Sequence, residues 1–406
     1  MNKKQITIAV AAALVSTFAM ADDFTVAEVT SIVNELTVYG RIHVSADSIS
    51  GIAANSNDFA LNSDSSCFGV RGEHDLGDGL KGLFQLESGV NAVGRNVPDG
   101  NGGPTPTGQL FSEARDMFIG LTGNYGSILA GRMGGADQWV YDSNLFADQI
   151  GDAGNFNSGR GVGGRLSGVL MYQTPIVSGL TASLTYIPAS ALDSGAIPPT
   201  VAFGAPGTIA TIATPGTPAS TGKNSYGFKL DYDGNKVETP VNGIIATSLK
   251  QGGVNAHMAY FDTSSITANV VYEYKNASIA GGYSFGNVVF SAQLVNSELD
   301  AGGVSNTQNV FNIGGKYNLG SNDAIKAQYS KAWSMTGVAN SGANQIAIGY
   351  DHNLSKNMVI YAVLAKTTNE ANAQFAVNGY GHGGGNLGAV AGESPSAIST
   401  GMAYNF

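Results

Sequence analysis

The fold of this chain is decided by its last eleven residues, Ser396-Ala-Ile-Ser-Thr-Gly-Met-Ala-Tyr-Asn-Phe406. Every second residue from Ile398 to Tyr404 belongs to a mainly apolar set, whereas the residues between them are small or polar. Because strand side chains alternate between two faces, the segment predicts a strand with one apolar and one polar face. A half-buried strand of a soluble protein would alternate in the same way. A chain that ends on a strand with the exposed aromatic residue Phe406 is instead typical of the closing strand of a bacterial outer-membrane barrel.

The N-terminal residues predict export from the cytoplasm. Two lysines precede an apolar run, Ile6–Phe18, and Ala19-Met20-Ala21 offers a small-x-small cleavage site. This is the pattern of a secretory signal peptide, residues 1–21, which would leave a mature chain of residues 22–406. The alternative, a buried N-terminal helix, would need an amphipathic continuation that the following acidic pair does not provide.

The composition fits an exported β protein without membrane-spanning helices. Apolar residues make up 43% of the chain and charged residues 12%, with 56 glycines, 17 tyrosines and 17 phenylalanines. After residue 21 no run approaches the roughly 20 apolar residues that a membrane helix needs. The single cysteine, Cys67, excludes an intramolecular disulfide. The formal charge is −10, and it becomes −12 in the mature chain because residues 1–21 contain two lysines and no acidic residue.

Alternation with a period of two recurs along most of the chain. The alternating stretches are 36–44, 67–73, 81–87, 165–172, 226–232, 254–261, 268–274, 279–294, 309–317, 323–333, 342–350 and 357–367. Tight connections are expected at 76–79, 123–126 and 352–356, and long polar loops at 47–65, 91–114, 133–164, 187–223 and 369–395. Short turns on one rim and long loops on the other predict an all-β fold, a transmembrane antiparallel β-barrel in which 187–223 and 369–395 are long external loops.

The number of strands follows less directly from the pattern. A count gives about seventeen, with ambiguous hairpins between residues 226 and 294. Bacterial single-chain barrels have even strand numbers, so sixteen is the expected count and eighteen the alternative. The segment 24–35, which precedes the first alternating stretch, is longer than a first strand needs. It is interpreted as a periplasmic tail or a short helix.

Several segments resemble the Gram-negative general diffusion porins. They are Leu36–Ile42, Phe68–Gly89, Phe118–Arg132, Met171–Pro175 with Ser178-Gly179, Asp351–Lys356 and the terminal Phe406. The resemblance is dense over 36–186 and 342–406. It implies a sixteen-stranded trimeric barrel whose third loop, here 133–164, folds inward and narrows a water-filled pore.

Four arginines are predicted to line the pore, namely Arg41, Arg71, Arg132 and Arg165, all placed on the polar phase of their strands. On the lipid face an arginine would cost about 2–4 kcal/mol at mid-membrane. Taken singly, each is more simply explained as a solvated surface charge. The resemblance implies that Arg41, Arg132 and Arg165 match basic positions on the family's pore wall. This chain departs from the family at one position, because it has Cys67 where the family often has a basic residue. Arg71 would compensate for that missing positive charge only in part.

The third loop supplies the expected carboxylates, Asp137, Asp142, Asp148 and Asp152. Carboxylates that face arginines across water would orient dipolar solutes and bias ions without binding either tightly. Solubility of an exposed loop is the competing explanation for any one of them, and Asp137 and Asp142 are favoured for the constriction. Arg160 could close the loop back onto the wall, and Glu87 is expected to pair with Arg41 or Arg71.

The expected partners follow from this architecture. They are membrane lipid and lipopolysaccharide, ions and small hydrophilic solutes, two further copies in a homotrimer, and the barrel-assembly machinery, which would read the C-terminal strand through Tyr404 and Phe406. Calcium or lipopolysaccharide could bind the acidic loops; no cofactor and no nucleic acid are expected. The acidic charge favours cations at the pore mouth and the wall arginines oppose it, which leaves a weak lean to cations.

The expected function is that of a Gram-negative outer-membrane porin for passive diffusion. A substrate-selective channel is the closest alternative, and a secreted β-rich adhesin would share the signal peptide and composition but not the apolar strand face. An enzyme is not expected. The five histidines lack metal-ligand spacing, and no nucleophile elbow or phosphate loop occurs in the required context.

Overall fold

The computed structural model describes most of the chain and shows an all-β architecture. The described residues are 36–52, 58–93, 115–134, 144–157, 165–188, 224–233, 254–267, 270–301, 304–378, 382 and 389–406. Residues 1–35, with the predicted signal peptide and the 24–35 segment, lie outside them, as does nearly all of the 187–223 loop. Among the described residues no helix is both long and apolar enough to cross a bilayer.

Seventeen strands and one short helix make up the described elements. The strands are β1 (Leu36–Ser50), β2 (Asp58–Ser63), β3 (Cys67–Gly77), β4 (Leu80–Gly89), β5 (Met117–Gly123), β6 (Gly126–Gly134), β7 (Arg165–Gln173), β8 (Leu180–Ile187), β9 (Ser225–Asp233), β10 (Val254–Thr267), β11 (Val270–Phe285), β12 (Val288–Ala301), β13 (Val304–Asn318), β14 (Asp323–Ala332), β15 (Ala343–Ser355), β16 (Met358–Asn369) and β17 (Ser396–Asn405). The helix, α1, spans Gly154–Asn157.

All strands belong to one antiparallel sheet, in which neighbours along the chain pair from β3 to β17. β17 also pairs with β1, from Arg41↔Asn405 to Ser50↔Ser396. On its other edge β1 pairs first with β3 and then with β2. β2 and β3 are therefore two halves of one strand interrupted at residues 64–66, and the sheet has the sixteen strands expected from the sequence.

The C-terminus completes the pairing between the last and first strands. The backbone N–H of Phe406 donates to the carbonyl of Gly40 at 3.0 Å, and the N–H of Gly40 donates back at 3.2 Å. A Cβ at position 40 would overlap the Phe406 ring, which therefore lies directly over the glycine. The terminal aromatic residue thus covers the part of β1 that has no side chain.

Three details of the predicted pattern are wrong. The expected loop at 47–65 contains strand near both of its ends, because β1 continues to Ser50 and β2 spans Asp58–Ser63. The stretch 279–294 is two strands that meet at the Gly286-Asn287 turn. The short-long alternation also fails between β9 and β13. Twenty residues separate β9 from β10, where the alternation requires a short connection, and two residues each separate β10 from β11 and β12 from β13, where it requires long ones.

The turn expected at 352–356 lies slightly later than predicted. β15 continues through Ser355, and Lys356-Asn357 forms the turn to β16. Leu76–Gly79 and Gly123–Gly126 do contain tight turns, at Asp78-Gly79 and Asn124-Tyr125. Alternation persists through a polar strand end, so composition alone placed the boundary too early.

The two faces of the sheet differ as the alternation predicts. One face exposes large apolar side chains on almost every strand, including Ile119, Leu184 and Ile346. Many of the exposed aromatic residues lie toward the rim of the short turns: Tyr125, Tyr172, Tyr232, Tyr283, Phe285, Tyr317, Tyr350, Tyr404 and Phe406. An apolar band with an aromatic girdle is the surface that a barrel presents to lipid and to its interface with water. The opposite, inner face carries Ser, Thr, Asn, Gln and charged residues, most of them buried.

Candidate pore constriction

Residues 144–157, the described part of the third loop, lie against the inner face of β14–β16; we call them the lumen segment. The backbone N–H of Leu145 donates to Oε1 of Gln328 at 2.9 Å, and Nε2 of Gln328 donates to the carbonyl of Gly151 at 3.2 Å. Phe146 and Ile150 are fully buried in an apolar cluster on this wall. The wall contributes to that cluster Ala347, Tyr361, Val363 and Ala365. The small side chains of Ala347 and Ala365 leave room for the segment, so its position follows from packing as well as from hydrogen bonds.

Residues 370–378, which follow β16, hold the lumen segment from a second side. The N–H of Gly151 donates to the carbonyl of Val377 at 2.8 Å, and Ile150 forms an antiparallel bridge with Asn378. Phe156 of α1 stacks on Phe375 with ring centroids 4.7 Å apart. The loop predicted at 369–395 therefore contributes inward contacts in its first part, which a description as an external loop does not anticipate.

Asp148 connects the lumen segment to the first strand. Its Oδ2 accepts a hydrogen bond of 2.7 Å from Nη1 of Arg41, and its Oδ1 accepts one of 2.8 Å from Oγ of Ser65. Ser65 lies in the break between β2 and β3 with φ 49°, and Asp148 itself has φ 61°. Burial raises the pKa of the Asp148 carboxyl, but the charge of Arg41, helped by the Ser65 hydroxyl, outweighs it and holds that pKa below its usual value.

Asp152 organises the lumen segment internally. Its carboxylate accepts hydrogen bonds from the N–H of Gly154 at 2.6 Å, from the N–H of Asp148 at 2.9 Å, and from the Asn144 amide. Burial and the nearby negative charge of Asp148 raise the pKa of Asp152 to about 6 despite these bonds. The side chain is 5% exposed. Asp152 thus shapes the loop and does not present its charge to the lumen.

Glu87 is the centre of a second charged network on the inner face of β4. It forms an ion pair with Nε of Arg115, and its Oε2 accepts a hydrogen bond of 2.8 Å from the Tyr39 hydroxyl. Nη2 of Arg165 lies 4.0 Å from Oε1 of Glu87, and Nε of Arg165 donates to Asp116 at 2.7 Å. The expected pairing of Glu87 with Arg41 or Arg71 is wrong, because Arg115, just before β5, takes that position.

Arg71 and Arg132 occupy different surroundings. The guanidinium of Arg71 lies 4.9 Å from the ring centroid of Tyr39. Arg132 donates to Oγ of Ser167 at 2.8 Å. By strict alternation Arg132 would lie on the same outer face of β6 as the exposed residue Ile128. This is contrary to the prediction that all four arginines face inward. A register shift follows Gly131, whose φ of 148° breaks the alternation at this point.

A buried lysine on β14 was not anticipated from the sequence. Lys326 lies 3.0 Å from Oδ1 of Asp351 and donates to Oε1 of Gln149 at 2.9 Å. Its Nζ also lies 4.7 Å from the centroid of the Phe146 ring. This lysine therefore binds the lumen segment through Gln149 and Phe146 while Asp351 balances its charge.

The predicted site residues have different outcomes in the structure. Asp137, Asp142 and Arg160 lie outside the described residues. Arg41 and Asp148 meet directly, and Arg165 joins the Glu87 network. The residues that the sequence did not reveal, Arg115, Asp116, Lys326 and Asp351, lie at strand ends or inside strands that pattern analysis treats as wall. Within the described ranges no group of His, Cys, Asp or Glu is arranged to hold a metal ion.

Comparison with known proteins agrees with this geometry. The family model described as Gram-negative porin matches residues 7–372. The chain belongs to the Gram-negative porin family. This porin is 27% identical over 384 residues to outer membrane porin protein 32 of Delftia acidovorans, covering 92% of this chain and 94% of the relative.

Solved structures support the fold of this porin. The anion-selective porin from Comamonas acidovorans superposes with a TM-score of 0.72 at 22% identity, covering 91% of this chain and 99% of the other. The trimer form of in-vitro folded OmpT from Vibrio cholerae gives a TM-score of 0.60 at 12% identity, covering 91% and 99%. The sequence-based expectations of family, barrel fold, outer-membrane location and passive diffusion through a channel are confirmed.

Proposed function

We propose that the lumen segment forms the constriction of this porin and that the Arg41–Asp148 contact sets the field across it. The supporting observation is the 2.7 Å ion pair between a wall arginine and a segment carboxylate, with side chains 29% and 21% exposed. Partly exposed charges that are fixed beside a water-filled passage orient dipolar solutes without holding them. Ions and small hydrophilic solutes are the proposed cargo.

The ion preference is proposed to reflect two opposing contributions. Arg41, Arg71, Arg132 and Arg165 would favour anions on the wall, and the mature charge of −12 would favour cations at the mouth. The Comamonas acidovorans porin that shares this fold is named anion-selective, which supports the wall contribution. The expected preference is therefore weak, and it should move toward cations whenever a wall arginine is neutralised.

The assembly proposed here is a homotrimer in the outer membrane. A trimer form is named for the Vibrio cholerae structure that shares the fold. The apolar outer face would contact lipid and lipopolysaccharide, and the C-terminal strand with Tyr404 and Phe406 would be read by the barrel-assembly machinery. Enzymatic activity is not part of the proposal, because the matched relatives are named as porins. Cleavage of a signal peptide after residue 21 is proposed from the sequence.

The test is single-channel conductance of the refolded mature chain in a planar bilayer under a salt gradient. Large ohmic steps that close in threes at high voltage are expected for a trimeric diffusion pore. The reversal potential then gives the ion preference. A barrel that migrates as folded on a gel yet never conducts would overturn the proposal.

A further inference from the structure

A buried histidine on β1 lies beside the constriction arginine and has no part in the function proposed so far. His43 is fully buried, two residues beyond Arg41 on the same face of the strand. Its Nδ1 lies 2.9 Å from Nη2 of Arg41, and its Nε2 lies 2.8 Å from the hydroxyl of Tyr361 on β16. The imidazole ring thus connects Arg41 on β1 to Tyr361 on β16, two strands away across β17.

The protonation state of His43 follows from its neighbours. A guanidinium has only donors, so Nδ1 must accept the hydrogen bond from Arg41. The imidazole is then neutral, its hydrogen lies on Nε2, and Nε2 donates to the Tyr361 hydroxyl. An imidazolium would place two donors, Nδ1 of His43 and Nη2 of Arg41, only 2.9 Å apart. The Asp64 carboxylate does not relieve this repulsion, because its Oδ2 lies 3.8 Å from Nε2, the nitrogen that does not contact Arg41.

The break between β2 and β3 fixes the backbone of His43. Between the two pairing regions of β1, the N–H of His43 donates to Oγ of Ser66 at 2.9 Å, and its carbonyl accepts from the N–H of Asp64 at 2.9 Å. The ring of Tyr361 lies over Gly401, where any Cβ would overlap it. The backbone of His43 and the ring of Tyr361 are therefore held in place, and so is the imidazole between them.

We infer that His43 is a positioning residue that sets the direction of the Arg41 guanidinium in the constriction. One nitrogen of the planar group is bound by His43 and the other by Asp148, at 2.9 and 2.7 Å. Two bonds to different nitrogens fix the orientation of a planar fork, which a single contact would leave free to rotate. This inference rests on the proposed role of Arg41 in the constriction.

The test uses paired substitutions of the refolded full mature chain, with reversal potential under a salt gradient as the readout. Arg41→Gln is measured first and is expected to shift the reversal potential toward cations. His43→Asn retains an acceptor near Nδ1 and is expected to stay close to wild type. His43→Gln retains a group near Nε2 but no acceptor near Nδ1, and should shift the reversal potential toward the Arg41→Gln value without reaching it, because the Arg41 charge remains. In the Arg41→Gln background it should add nothing.

Several results separate the possible failures. No shift with Arg41→Gln would contradict the proposed function, whereas a shift there with none in His43→Gln would overturn the positioning role. Equal shifts in His43→Asn and His43→Gln, or a further shift in the double variant, would also overturn it. If His43 variants do not refold, Tyr361→Phe keeps the imidazole and removes the acceptor of Nε2. A shift toward the Arg41→Gln value is expected there, and an unchanged potential would refute the inference.

Discussion

Nη1 of Arg41 and Oδ2 of Asp148 lie 2.7 Å apart, so an ion pair joins the first strand of the barrel to the segment inside its lumen. The two residues are 107 positions apart in the chain. Arg41 has a second partner in His43 on its own strand, and Asp148 has one in Ser65 of the break between β2 and β3. The contact therefore fixes both the path of the segment and the direction of a wall charge. Removing either charge should therefore change ion selection.

The two halves of this pair should have opposite effects on ion preference. Asp148→Asn leaves Arg41 uncompensated and is expected to move the reversal potential toward anions, whereas Arg41→Gln should move it toward cations. Asp78→Asn, in the exposed turn between β3 and β4, is the matched control and should leave it unchanged. Shifts of the same sign in the two constriction variants would show that the pair does not set the field.

Glu87 should matter for stability, because Arg115 beside it is 8% exposed. Glu87→Gln leaves a buried guanidinium without its carboxylate, and breaking such a pair typically costs about 3–5 kcal/mol. The midpoint of denaturant unfolding, followed by heat-modifiable gel mobility, should fall accordingly. Glu73→Gln removes a carboxylate from the exposed Lys81 at 3.2 Å and should cost about 1 kcal/mol or less. Equal losses would mean that the Glu87 network does not stabilise the barrel.

Neutralising Arg132 and Arg165 together should raise cation preference. Arg165 is held by Asp116, and Arg132 by Ser167, so both charges are fixed on neighbouring strands. The expected result for the double Gln variant is a reversal potential shifted toward cations at unchanged folded yield. Lys81→Gln with Lys356→Gln removes the same charge at the short-turn rim and serves as control. An unchanged potential would place both arginines outside the constriction.

The strand pattern was readable from the sequence because one physical constraint repeats around the whole barrel. An apolar face toward lipid imposes alternation on every strand, so most stretches were found and the count of sixteen followed from parity. The break at residues 64–66 could not be read, since Ser65 reaches φ 49° to meet Asp148, a contact invisible to local pattern. Alternation likewise does not reveal the Gly286-Asn287 turn, where apolar residues continue on both sides.

The site was predictable only as a set of residue types. Arg41 and Asp148 were expected to face each other as members of two groups, and their direct contact depends on where the lumen segment packs. Arg115 was missed because it belongs to no alternating stretch, although it took the position beside Glu87 assigned to Arg41 or Arg71. Arg132 was assigned to the inner face by simple alternation, but the register shift after Gly131 means that alternation no longer tells which face a side chain lies on. Chain pairing and bulges, not composition, decide such details.

The contact of Phe406 with Gly40 makes a prediction about barrel closure. Gly40→Val would place side-chain atoms against the Phe406 ring and the Cys67 carbonyl, and overpacking of this kind typically costs about 1–3 kcal/mol. The refolded fraction, read from gel mobility, is expected to fall. Gly320→Val is the control, because a Cβ there meets nothing within 4 Å. Adding Phe406→Ala to Gly40→Val should recover part of the loss, and no recovery would show that the ring is not what position 40 must accommodate.

The raised pKa of Asp152 predicts how the lumen segment responds to pH. Because its pKa is about 6 in the folded loop and 3.8 in an ordinary setting, the folded state holds the proton more tightly between these values. The docked segment should therefore lose stability as pH rises from about 4 to 6 and change little above that, with an upper limit of about 3 kcal/mol. Asp148, whose pKa is lowered, acts below this window, where its contribution is lost as pH falls.

Amide hydrogen exchange of residues 144–157 measures this dependence, after correction for intrinsic exchange rates. Protection is expected to decrease between pH 4 and 6 in the wild-type barrel. Asp152→Asn imitates the neutral carboxyl and should remove the dependence within that window, while Asp323→Asn, at the start of β14, should leave it intact. If protection instead increases from pH 4 to 6, the hydrogen bonds from Gly154 and Asn144 outweigh burial and the charge of Asp148, and Asp152 is ionised in the docked loop.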